Sequence, residues 1–383
     1  MPALVPQFIR QAAARATEGP GRIPSLDGLR ALSIALVLFA HTSGTQYFPS
    51  FVFLRRNLGN FGVRVFFVIS GFLITTLLIK ELRTRGRISL GHFYIRRFFR
   101  IFPAAYAYIA VMAALTLAGL TPLGLGDFLH AVTYTVNYDR DRHWLLIHLW
   151  SLSVEEQFYL LWPATLALGG LAGGARVAIA VLFAAPLLRF FTPWFFPDLA
   201  WSVGSSFQTN MDALGIGCLL ALKREPLWNW TLYRRFLAST AFWLAPAAAF
   251  AISLSFLSHD PFVHLAGQSI MNLGIALTID GCIRRAATPA GRFLNHPLMC
   301  YIGVLSYSIY LWQEPFLDRT STAPWNSFPI NLLCTAAAAL ASYHLIERPC
   351  LELRKVLAPL DSPRAPRPAP SGATIESVPR DGS

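Results

Sequence analysis

The chain has 383 residues, 54% of them hydrophobic and only 14% charged, against roughly 25% charged residues in a soluble domain. Apolar stretches near the bilayer length of about 20 residues recur from Leu29 to Leu345, which excludes a soluble domain of useful size between them. The formal charge of +12 comes from Lys and Arg at the ends of those stretches, a pattern that suits anionic lipid headgroups and topology control and argues against nucleic-acid binding.

In chain order, residues 1–24 read as a cytoplasmic N-terminal segment. The first apolar run follows several arginines, has no small-x-small cleavage site, and is expected to stay as an uncleaved helix. Candidate spans cover about 29–49, 61–80, 98–119, 147–168, 175–191, 208–222, 236–257, 262–281, 298–316 and 327–346. The predicted fold is therefore all-α, a polytopic transmembrane bundle of ten spans over 25–356. The apolar stretch Phe128 to Tyr138 is short, so it is expected to be interfacial or re-entrant; as a full span it would make eleven.

With ten spans the basic clusters Arg10/Arg15/Arg22, Lys80 to Arg100, Lys223 to Arg235, Arg284/Arg285/Arg292 and Arg348/Arg354/Lys355 fall on one face, and both termini are cytoplasmic. Arg55/Arg56 is the only basic pair assigned to the outer face. Residues 357–383, rich in Pro, Ser and Gly, are expected to be a disordered cytoplasmic tail. Five scattered cysteines lack any paired or CxxC pattern and read as free structural thiols. No His/Cys/Asp/Glu cluster has metal-ligand spacing, so no metal is expected.

Ionisable groups at membrane depth carry the functional signal. Arg30 and His41 are eleven helical steps apart, which puts them on nearly the same face about 16 Å apart along the axis, as if lining one polar path. The competing account has His41 bonding a neighbouring helix while Arg30 snorkels to headgroups. Arg96, Arg97 and Arg100 form a cationic cradle at the expected cytoplasmic surface, fit for a ligand with several phosphates or for lipid phosphates alone. Ser151, Glu155 and Tyr159 recur at i, i+4 as a polar stripe on an apolar helix, with the His41 proton a candidate partner for Glu155. Arg64, Asp212 and Asp280 each require a partner within the bundle. Gly71, Gly215 and Gly217 suit close helix approach, and Tyr301, Tyr307, Tyr310 and Trp312 suit an aromatic wall.

Seven segments stand in one order along the chain: IPSLDGLRALSIALVLFAH, GVRVFFVISGFLIT, FYIRRFFRIFPAAY, LWSLSVEEQFYLLWP, MDALGIGCLLA, LSYSIYLWQEP and IERP. In these motifs the chain resembles the acyltransferase 3 family of bacterial membrane O-acyltransferases, from Ile23 to Pro349. The resemblance implies that His41 is the catalytic histidine with Arg30 as its companion, that Glu155 is the family's fixed glutamate, and that Arg96, Arg97 and Arg100 bind the acyl donor. Arg64 is grouped with the donor site, and Tyr159, Asp212, Tyr307 and Tyr310 with the substrate. Two departures mark this chain: Gln313 stands where many members carry histidine, and Asn210 where many carry a basic residue.

The expected activity is transfer of an acyl group, acetyl by family habit, from cytoplasmic acyl-CoA to a hydroxyl of an envelope glycan or related acceptor, at the inner membrane. O-antigen, lipopolysaccharide, exopolysaccharide and peptidoglycan sugars are all compatible acceptors. A transporter or flippase for an anionic amphiphile is the alternative, since charges within the bundle and a basic site at one end also fit a transport path.

Overall fold

The computed structural model describes residues 22–255 and 263–357. The expected segment 1–24, apart from residues 22–24, and the expected tail, apart from residue 357, lie outside the described residues. Among the described residues the fold is helical throughout: α1 (Pro24–Thr42), α2 (Val52–Arg85), α3 (Leu90–Leu117), α4 (Leu125–Val132), α5 (Leu149–Phe195), α6 (Phe207–Asn229), α7 (Thr231–Ala238), α8 (Leu244–Leu254), α9 (Gln268–Arg284), α10 (Pro297–Trp312) and α11 (Ile330–Leu357) are joined by shorter turns.

Local chemistry sets these boundaries. Pro24 sits in the first turn of α1, where its missing N–H costs nothing, and Arg22 pairs with Asp27 at 2.6 Å beside it. Gly86 ends α2 in the left-handed region, φ 71°, its N–H donating to Leu82 O. Gly170, φ 61°, breaks α5 into two helices, which accounts for the two spans expected over 147–168 and 175–191. At eight residues, about 12 Å long, α4 is too short to cross a bilayer, in line with an interfacial stretch.

Among the described residues five helices are long and apolar enough to cross a membrane (Pro24–Thr42, Val52–Arg85, Leu90–Leu117, Trp144–Phe195 and Ile330–Leu357), and the pair Thr231–Ala238 and Thr240–Leu254, bent by 79°, makes a sixth if it is one span. The remaining expected spans are helical but shorter or more polar. α9 and α10 have 17 and 16 residues, and α6 carries Asp212, Lys223, Arg224 and Glu225. Apolar side chains face outward, Leu168 being 90% and Phe183 69% exposed, a surface suited to lipid rather than water.

The centre of the bundle is α2, packed between α1 and α6, with Phe67, Val68, Phe72 and Ile74 fully buried. Backbones touch where α2 crosses α6: a Cβ on Gly71 would lie 2.0 Å from Leu214 O, and one on Gly217 2.2 Å from Val68 O. Glycine at both positions is what lets these helices approach so closely.

Candidate functional site

Among the described residues, a large and a small cavity in the bundle share Val63 and Tyr310 as wall residues. The larger, about 1010 Å³, is ringed by cations from three helices or their ends, among them Arg22 and Arg30 at α1, Arg97 and Arg100 of α3, and Arg348 and Arg354 of α11. The smaller, about 350 Å³, holds His41, His148 and Glu314 with Arg55, Arg142, Trp144 and Trp201.

In the large cavity Glu155 sits among the arginines. Its Oε1 accepts from Ser70 Oγ at 2.6 Å, and Ser70 Oγ accepts from Tyr159 OH at 3.2 Å. Arg30 and Arg97 lie within electrostatic reach of the carboxylate, and Arg97 stacks over the Tyr159 ring at 5.3 Å. Tyr307 donates to Ile101 O at 2.7 Å, so its ring is a fixed wall. Among the expected cradle arginines, Arg97 and Arg100 face the cavity; Arg96 pairs with Glu81 Oε2 at 3.0 Å instead. Glu81 also accepts from Ser89 N at 3.0 Å, so this arginine pins the α2–α3 turn.

His41 ends α1 and lines the small cavity, with its side chain 24% exposed. The expected link to Glu155 is not formed: Glu155 borders the other cavity, and the acid beside the ring is Glu314, with Oε1 3.4 Å from Nδ1 and a fully buried side chain. Trp144 packs edge-on against the imidazole at 5.6 Å and donates its indole N–H to Glu314 O at 3.0 Å. Arg319 caps α1 through Ala40 O and Ser43 O, both at 2.8 Å. Burial and the neighbouring Arg55 hold the Arg319 guanidinium below its ordinary range. Arg142 and Arg319 thus join Arg55 at the end expected to carry only the Arg55/Arg56 pair.

Tyr310 stands between the cavities, its hydroxyl 2.7 Å from Ser151 Oγ and donating to His148 O at 2.8 Å. Arg30 and His41 therefore line separate chambers along α1, which share Val63 and Tyr310 as wall residues.

Arg64 and Asp212 are not in either wall. Arg64 Nη2 donates to Asn210 Oδ1 at 3.1 Å and to Gln268 Oε1, facing α6 and α9, and this is where the departure at Asn210 is used. Asp212 takes a bidentate bond from Arg189, at 3.0 and 2.9 Å, and a third from Ser269 at 2.7 Å. The Arg189 and Asp212 side chains are 0% exposed, so Asp212, expected at the substrate, and Arg64, expected at the donor, both lie in the core outside the two cavities. Asp280 is likewise held by Arg224, Arg284 and Tyr233. The sequence reading missed Glu314 and His148. An acid closing an otherwise apolar helix was the available signal for the first.

A neutral imidazole beside a buried carboxylate can accept a proton from a bound hydroxyl, and a cationic chamber can hold an anionic ligand. A family profile described as an acyltransferase domain, that of the acyltransferase 3 family, matches residues 23–345. YrhL of Bacillus subtilis (strain 168) is 28% identical over 372 residues, 85% of this chain and 54% of its own. The O-acetyltransferase OatA of Staphylococcus aureus is 29% identical over 355 residues, 86% of this chain and 57% of its own. The peptidoglycan O-acetyltransferase OatA of Listeria monocytogenes is 26% identical over 369 residues, 85% of this chain and 55% of its own. The chain spans about half the length of these curated relatives. No solved structure matches it.

Proposed function

The chain belongs to the acyltransferase 3 family, and from that premise we propose that it moves an acyl group from an acyl-CoA thioester to a hydroxyl of a cell-envelope glycan. The observation that supports this reading best is the pair of cavities meeting at Tyr310 and Val63, one cationic and one built around His41. The membrane is the inner (plasma) membrane. α1, α2, α3, the two halves of α5, α6, the bent α7–α8 unit, α9, α10 and α11 cross it, with both termini inside. The large cavity then opens to the cytoplasm and the small one to the opposite side.

Acyl-CoA docks its phosphates on Arg97 and Arg100, with Arg348 and Arg354 of α11 extending the cradle. The pantetheine arm passes Tyr310 and presents the thioester to His41. The acceptor enters between Trp144 and Trp201, whose indoles offer flat apolar faces to a sugar ring. His41 Nε2 takes the hydroxyl proton as the alkoxide oxygen bonds to the acyl carbon. The C–S bond breaks, and the leaving thiolate takes the proton from the imidazolium. Acetyl is the simplest acyl group, and the names of the relatives make peptidoglycan the first acceptor to try.

Cells producing the wild-type chain should gain base-labile acetyl groups on envelope glycans by mass spectrometry, and the purified chain should release thiol from acetyl-CoA. Cells producing His41→Ala at equal membrane abundance should show neither. Equal acetylation with both proteins would end this reading, and a transporter would release no thiol from either.

A further inference from the structure

We propose that Glu314 is the positioning residue for His41: its carboxylate accepts the Nδ1 proton and so leaves Nε2 bare toward the acceptor. The inference rests on the transfer reading above for its consequence, but its evidence is geometric. Oε1 lies 3.4 Å from Nδ1, and the Glu314 side chain is 0% exposed. Among the described residues neither carboxylate oxygen has a hydrogen-bond partner, and neither does His41 Nδ1. A buried acid left with no proton to accept is costly, and the imidazole is the group placed to relieve that cost.

Gln313, buried beside Glu314 with its amide unpartnered, also lies within hydrogen-bonding reach of the imidazole, while the other neighbours fix the pair. Trp144 touches both members, packing on the imidazole and bonding the Glu314 carbonyl. Arg319, a cation within electrostatic reach of Glu314, directs Nε and Nη2 to backbone carbonyls at the end of α1. Glu155 is committed to Ser70 in the other cavity. When Nε2 takes the hydroxyl proton the ring becomes an imidazolium, and a carboxylate already at Nδ1 stabilises that charge without reorganising. Once the thiolate has taken the proton, the ring returns to the same tautomer, ready for another acceptor.

The test uses the full chain in lipid nanodiscs, with isotope-labelled histidine and the His41 signals assigned by their loss in His41→Ala. The expected result is protonated Nδ1 and bare Nε2 in the wild type, and a shift toward the opposite tautomer in Glu314→Gln, whose amide donates to Nδ1. With acetyl-CoA and soluble peptidoglycan fragments, Glu314→Gln should lower kcat on the order of 10²-fold or more and leave the donor KM unchanged. A wild-type ring protonated at Nε2, or nitrogen signals unmoved by Glu314→Gln, overturns the proposal. So does full turnover in that variant. If the wild type turns over no faster than His41→Ala, the transfer reading falls, and the tautomer measurement still decides what Glu314 does to the ring.

Discussion

Arginines in this bundle divide by what they touch, and the division predicts different losses. Arg97 and Arg100 face the large cavity, whereas Arg96 is spent on Glu81. Removing a charged donor costs roughly 1.5–3 kcal/mol, so Arg97→Ala or Arg100→Ala should raise the acetyl-CoA KM by about tenfold or more. Arg96→Ala should lower the melting temperature and leave that KM unchanged. Arg189 and Asp212 form a fully buried pair, so Asp212→Ala strands a guanidinium and should destabilise by about 3–5 kcal/mol, while an apolar replacement of both members recovers much of the loss. Thermal unfolding in detergent measures both effects. The sequence made Arg30, His41, Glu155, Arg97 and Arg100 conspicuous, because charge at membrane depth is expensive. It did not make their grouping legible: an acid after an apolar helix is visible at Glu314, but it meets His41 only where α1 packs against the turn that follows α10.

Helix existence followed from hydropathy, and helix contact from small residues. Gly71, Gly215 and Gly217 stood out as sites of close approach. Gly71 and Gly217 lie where α2 and α6 touch backbone to backbone, and Gly215 packs against Val181 of α5. A methyl group at Gly71 has no room, so Gly71→Ala should cost about 1–3 kcal/mol by overpacking. Gly91 of α3 has nothing within 4 Å of the same position, and Gly91→Ala should be neutral or stabilise by about 0.5–1 kcal/mol. In detergent, Gly71→Ala should therefore lower the melting temperature, and Gly91→Ala should leave it unchanged or raise it. Breaks were harder to read than helices. The turn at Gly170 follows from a left-handed φ that the surrounding glycines and alanines did not single out, and the 79° bend near Ser239 arises in a stretch that reads as one apolar span.

Across the whole molecule, the polytopic class was written in the composition, while the count of crossings was not. Paired core charges such as Asp212 and Asp280 let short or polar helices sit inside the bundle, where a hydropathy window alone counts them poorly. The proposed topology puts Thr322 outside and Arg87 inside. In intact cells a membrane-impermeant thiol reagent should label Thr322→Cys, and Arg87→Cys only after permeabilisation, each in a background lacking the native cysteines. In the proposed function two ligands meet at His41 from opposite sides of one bundle. Cryo-electron microscopy of the full chain in nanodiscs, with a non-transferable thioether analogue of acetyl-CoA, tests it most directly. Phosphate density is expected against Arg97 and Arg100, with a pantetheine arm running past Tyr310 to the His41 imidazole. Density that binds elsewhere, or that ends in the large cavity with Tyr310 closed and His41 out of reach, would contradict the proposed function.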